Sequence, residues 1–267
     1  MSITDVPDLI YKVIAQVRTR RSNRPALIGV GGAQGSGKST ACWLLEAANR
    51  GRFAHFSMDD VYWSHAEREA LAAEVHPLLA TRGPPGTHDL DLADRTIQSL
   101  ETPAGSKTPL PRFDKASDDR APQGVWPVFR GLPEAILVDG WCMGAKPLDP
   151  ASLASPVNAL ERDEDADGRW RRYVAGHLAD DYQSFFDGFD ALIYLQAPNW
   201  EVVRAWRGQQ EAQTRGQALT AEENAALDRF VMHYERITRS MLAGHHGADL
   251  VVHLDEARRV VRIEERS

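Results

Sequence analysis

Residues 26–48 read Ala26-Leu-Ile-Gly-Val30-Gly-Gly32-Ala-Gln-Gly-Ser-Gly37-Lys38-Ser39-Thr-Ala-Cys-Trp-Leu-Leu-Glu-Ala-Ala48. The apolar run Ala26–Val30 predicts a buried strand, and Ala41–Ala48 predicts a helix. Between them, Gly32 to Ser39 satisfies GxxxxGK[ST] in the strand–loop–helix setting that a phosphate-binding loop requires. Glycines let successive backbone N–H groups turn inward toward phosphate oxygens, and the helix N-terminus adds partial positive charge. Gly32, Ala33, Gln34, Gly35, Ser36, Gly37, Lys38, Ser39 and Thr40 are therefore assigned to ATP. Lys38 is expected on the β- and γ-phosphates, with the Ser39 hydroxyl on Mg²⁺.

Outward from this loop, Ile10, Val13, Ile14 and Val17 predict an amphipathic first helix, ended by the basic run Arg18 to Arg24. A second strand over Arg52–Ser57 leads into Asp59-Asp60, and helical spacing follows over His65–Val75 and Asp89–Leu100, with Leu79–Asp89 as loop. Thr102–Pro133 carries six prolines and little periodicity, marking a long loop. Ala135–Val138, closed by Asp139-Gly140, Ala191–Leu195 and Leu250–Leu254 read as further strands. Helices are expected at Asn199–Thr214 and Thr220–Leu242, split by Arg215-Gly216-Gln217. Strands alternating with helices predict an α/β P-loop NTPase fold with a five-stranded, mainly parallel sheet covered on both faces.

A chain of 267 residues suits one domain, 1–267, and 43% hydrophobic with 26% charged residues is ordinary globular composition. A formal charge of -7 argues against nucleic acid, whose binders carry a basic footprint. A small anionic substrate needs only a few local cations. Cys42 and Cys142 lack CxxC spacing, so neither a metal site nor a disulfide framework is indicated, and a cytoplasmic location is expected. The opening residues lack the basic-then-apolar order of an export signal. No apolar run approaches the roughly 20 residues that span a bilayer.

Asp139 at a strand end suits a magnesium ligand beside the loop, direct or through water; a strand-end turn is the ordinary alternative. Gly140 stands where a water-activating Glu is usual in motor-type ATPases, and no Asn-Lys-x-Asp guanine reader occurs. Asp165-Ala-Asp167-Gly168 fits a switch-type DxxG, but it lies in the acidic run Glu161–Asp167, read as a solvated surface segment. A kinase remains.

Ser57-Met-Asp59-Asp60-Val-Tyr62 resembles the S-x-D-x-F-Y element of the phosphoribulokinase, uridine kinase and pantothenate kinase group. Arg82-Gly-Pro-Pro-Gly-Thr-His88-Asp89, Pro111-Arg112-Phe113-Asp114-Lys115, Asp139-Gly-Trp141-Cys-Met-Gly144 and Trp206-Arg207-Gly-Gln209-Gln-Glu211 together resemble the D-glycerate 3-kinase family, over roughly residues 25 to 255. The family commonly has Glu-Gly-Trp at Asp139–Trp141, Phe at Val61 and Tyr at Phe113. The resemblance implies a Mg²⁺- and ATP-dependent kinase that converts D-glycerate to 3-phosphoglycerate, with another small-metabolite kinase, or a nucleotide-binding regulator without transferase activity, as alternatives.

It also implies Asp59 as the acid that takes the proton of the attacking hydroxyl, with Asp60 as the alternative base or a metal-shell group. Asp60, Tyr62, Arg82, His88, Arg112, Lys115 and Trp141 are the expected acceptor-side residues, Arg supplying bidentate carboxylate recognition. Surface ion pairs for the two arginines, capping chemistry around His88 and core packing for Trp141 are the ordinary alternatives. The group carries a helical lid, placed here at about 204–220, with Arg204 or, preferably, Arg207 closing on the transferred phosphoryl; pairing with Glu211 is the alternative for Arg207. The proline-rich stretch at about 102–133 becomes a substrate-side loop.

Overall fold

The computed structural model describes residues 5–21, 23–102 and 107–266. Residues 1–4, part of the export-signal reading, and 103–106 of the proline-rich stretch lie outside them. Helix α1 (Val6–Arg20) buries Ile10, Ile14 and Val17 along one stripe, and the Asp5 side chain caps it by accepting from the Val6 amide. Strand β1 (Ala26–Gly32) is buried along its whole length. Helix α2 (Lys38–Ala48) leaves the phosphate loop, β2 (Phe53–Ser57) follows, and a 3₁₀ turn, Met58–Val61, carries the paired acids. Helices α3 (His65–Glu74) and α4 (Leu90–Leu100) come next, α4 capped by Asp89.

The proline-rich stretch is more ordered than its lack of periodicity suggests. It holds β3 (Lys107–Pro109), β4 (Phe113–Asp114), β5 (Asp119–Arg120) and β6 (Val128–Arg130), with β3 antiparallel to β6 and β4 to β5. Strands of two or three residues are too short to show a period. Arg68, fully buried, donates to the Ala80 and Asp118 carbonyls at 2.6 Å each and so fastens this region to α3.

After β7 (Ala135–Gly140) come α5 (Ala159–Glu164), α6 (Arg169–Ala179) and α7 (Asp181–Asp187), none anticipated from sequence. Within this region the acidic run is solvated only in part: Asp163, Glu164 and Asp167 are exposed, but two of its acids are not. Glu161 is fully buried and ion-paired to Arg236, while Asp165 is 1% exposed, accepts from the Trp170 and Arg171 amides and pairs with Arg171 at 2.9 Å. Dense charge in sequence hid two buried acids, Glu161 paired across the fold and Asp165 with the arginine six residues on.

Then follow β8 (Ala191–Gln196), α8 (Trp200–Arg215), α9 (Ala221–Leu242), β9 (Leu250–Leu254) and β10 (Val260–Glu265). The main sheet runs β10-β9-β8-β1-β7-β2, and its first-named strand is antiparallel to β9 while the other pairs are parallel. The five parallel strands are those expected. β10 is an addition, an edge strand whose Val261 and Ile263 are exposed between charges. Alternate residues of β1 serve opposite cores: Leu27 joins the one containing Phe56 and Trp141, Ile28 and Val30 the one containing Ile14 and Trp206. Register sets Asp139 between Val30 and Ser57, so the carboxyl ends of β1, β7 and β2 converge. Among the described residues, no helix is long and apolar enough to cross a membrane.

Candidate active site

The phosphate loop closes as a turn, Ser36 N donating to the Ala33 carbonyl at 3.1 Å. Gly35 (φ 77°) and Gly37 (φ 90°) hold left-handed backbone that a side chain disfavours. Gly37 is the N-cap of α2, so the first amides of that helix, beginning at Lys38, have no intrahelical acceptor. The buried Ser36 hydroxyl likewise has no partner among the described residues. These unused donors at a positive helix end fit a polyphosphate.

Asp139 is fully buried and anchors the middle of the site. Its Oδ2 accepts from the Ser39 hydroxyl at 2.6 Å, and its Oδ1 lies 2.8 Å from His55 Nε2. Ser39 and Asp139 give two hard oxygen donors at the loop's exit, the donor type Mg²⁺ prefers. His55 was not singled out from sequence. The available signal was alternation in β2, which sends His55 and Ser57 to the same face.

The acids after β2 have distinct surroundings. Ser57 and Asp60 form a reciprocal capping box around the 3₁₀ turn. Asp60 also pairs with Arg112 at 2.7 Å, yet burial keeps its carboxyl above the usual range. Asp59 accepts from the Tyr62 hydroxyl at 2.7 Å and from Lys115 at 2.6 Å. Burial pushes the Asp59 carboxyl up, but the Lys115 and Lys38 ammoniums prevail and hold it well below the ordinary carboxylate range. Lys38, Asp59 and Asp139 thus belong to one locality, since Ser39, next to Lys38, donates to Asp139 and Ser57 links the Asp139 carbonyl to the Asp59 amide.

Arg82 pairs with Asp118, which Arg68 also holds, and its guanidinium lies over the Phe113 ring. Tyr62 and His88 pack ring to ring at 4.6 Å and bridge antiparallel. Tyr182 accepts from the Gly86 amide, and its oxygen lies 2.5 Å from His88 Nδ1. His88 Nε2 has no partner among the described residues. Burial lowers the His88 pKa to about 4, so this imidazole is neutral. Trp141 is buried, donates to the Gly83 carbonyl at 3.0 Å and meets Tyr234 edge-on. Arg207 pairs with Glu211 at 2.9 Å on its own helix and lies over Phe230, which touches Tyr234. Tyr234 in turn meets Trp141, so two rings separate Arg207 from that predicted acceptor-side residue, and Arg204 pairs with Asp228 on α9.

No family model matches the chain. It is 29% identical over 251 residues to the uncharacterized kinase mug58 of Schizosaccharomyces pombe, covering 87% of this chain and 86% of that protein. It is 31% identical over 256 residues to the chloroplastic D-glycerate 3-kinase of Arabidopsis thaliana, covering 88% of this chain and 53% of that protein, so it spans about half the plant enzyme's length. Among solved structures, D-glycerate 3-kinase from Cryptococcus neoformans aligns over 98% of this chain and 99% of its own, with 22% identity and a TM-score of 0.78, a likeness of fold.

Proposed function

We propose that the chain is a P-loop kinase of the D-glycerate 3-kinase family and phosphorylates D-glycerate to 3-phosphoglycerate, a reading supported by its 31% identity to the plant enzyme over 88% of this chain. It is an ATP-dependent phosphotransferase acting on a hydroxyl acceptor. Phosphoryl transfer asks a protein chiefly for positioning and charge neutralisation. In this reading the phosphate loop and Lys38 hold the triphosphate, Ser39 and Asp139 hold Mg²⁺, and Asp59 orients the attacking hydroxyl and takes its proton. Bound Mg²⁺ supplies charge neutralisation at the phosphates. The region at about 204–220, the end of α8 and the turn before α9, serves as the lid, with Arg207 turning from Glu211 toward the transferred group, and the described part of the proline-rich stretch, 107–133, forms the acceptor-side wall of one kinase domain. Two buried, unpaired cysteines suit the reducing cytosol proposed as its location.

One observation favours a carboxylate-bearing acceptor: Lys115, 58% exposed, rests on Asp59 at 2.6 Å. An acceptor carboxylate draws that ammonium away and frees the Asp59 oxygen for the hydroxyl, while Arg112 and Arg82 exchange their partners Asp60 and Asp118 for that carboxylate. A coupled ADP-release assay over D-glycerate, uridine and pantothenate tests the assignment. Turnover with D-glycerate is expected; turnover with uridine and none with D-glycerate would overturn it.

A further inference from the structure

The β9–β10 turn reaches the phosphate loop from more than 200 positions away in the chain. Arg258 Nε donates to the Gly35 carbonyl at 2.6 Å, across a separation of 223 residues. Its Nη2 donates to Gln209 Oε1 on α8 at 3.0 Å, and its guanidinium lies 4.9 Å from the Trp206 ring centre. Trp206 in turn donates its indole N–H to the Glu256 carbonyl at 2.8 Å. Gly35 lies so close to Trp206 that an added Cβ would fall 2.7 Å from the Trp206 Cβ. Arg258 achieves this reach from left-handed backbone (φ 64°), a conformation rarely adopted by a residue with a long side chain. Strain of that kind persists where surrounding contacts enforce it.

We propose that Arg258 is a positioning residue for ATP, clamping the phosphate loop by holding the Gly35 carbonyl outward. The Gly35–Ser36 peptide is planar, so its carbonyl and amide point in opposite directions. Arg258 fixes the oxygen and the Ala33 carbonyl fixes the N–H, which locks that plane at both ends. Glycine itself imposes little restraint. A flipped peptide would set the Gly35 carbonyl against the Ala33 carbonyl and open the turn; the clamp excludes that state before ATP arrives and removes an ordering cost from binding.

The inference rests on ATP occupying the phosphate loop, and is tested by direct nucleotide titration with a non-hydrolysable ATP analogue and no acceptor. Arg258→Gly removes the guanidinium while suiting the left-handed backbone. Loss of a charge-assisted hydrogen bond should raise the Kd for the analogue and the KM for ATP about tenfold or more. The acceptor KM and kcat should stay within about twofold, since neither acceptor nor base touches this turn. Arg259→Gln removes one charge from the same turn and should leave the analogue Kd unchanged.

Wild-type affinity in R258G, equal weakening in R259Q, or an acceptor KM rising in step with that for ATP would each overturn the proposal. If R258G lowers the melting temperature, Arg258→Lys decides. It keeps charge and backbone but cannot span Gly35 and Gln209 together, so ATP-selective weakening sustains the clamp and wild-type affinity removes it. Failure of D-glycerate turnover would leave this titration standing, so the two readings fail separately.

Discussion

Asp59 illustrates how one residue can be named from sequence and understood only from its neighbours. Both its oxygens are engaged, by Tyr62 and by Lys115, and its carboxyl stays ionised far into acid. Such a group is a weak proton acceptor but a strong hydrogen-bond acceptor. A loose phosphoryl-transfer transition state needs mainly the latter, an alcohol held in line with its proton leaving late. Asp59→Asn is therefore expected to retain ATP affinity by calorimetry while kcat falls by roughly 10² or more. Unchanged turnover would transfer the role to Asp60, although the capping box and Arg112 already occupy that side chain. Lys38 and Asp139 follow as candidates from motif and strand end, and Asp59 from the family resemblance. The depressed pKa of Asp59 was not legible, because it depends on Lys115 and Lys38 reaching a buried carboxyl.

At the scale of elements, the junction of β2 with its 3₁₀ turn governs the acids. Ser57 accepts from the Asp59 amide at 3.2 Å and donates to the Asp139 carbonyl at 3.1 Å, so one hydroxyl ties the turn to β7. Ser57→Ala should cost about 1 kcal/mol in urea unfolding, the usual value of a cap. A fall in kcat on the order of tenfold should accompany it as Asp59 loses its fixed direction. An unchanged midpoint together with unchanged kcat would show that the turn holds itself. Elements with a full period, such as α1, α4 and α9, were readable because their buried faces repeat every three to four residues. β4 and β5, at two residues each, and β10, with exposed valine and isoleucine between charges, carry no comparable repeat.

At the scale of the whole molecule, buried histidines make the fold acid-sensitive. His88 and His233 each have a pKa lowered to about 4 by burial, against 6.5 when free. Between those values the unfolded chain binds more protons, so stability is fully present above about pH 6.5 and is lost as pH falls toward 4. Each contributes on the order of 3 kcal/mol to that loss. Urea midpoints measured from pH 7 to 4.5 should fall steadily, and a flat profile would refute the effect. The sequence by itself determined the phosphate loop, the order of the five parallel strands along the chain, the helix pair after β8 and the acids at the strand ends, because each is written in contiguous residues. Tertiary structure alone decided that Glu161 and Asp165 are buried partners of arginines, that His55 backs Asp139, and that Arg258 returns to Gly35. Apart from Asp165 with Arg171, six residues on, those contacts join segments remote in sequence, and no local period or motif encodes which distant side chain will arrive.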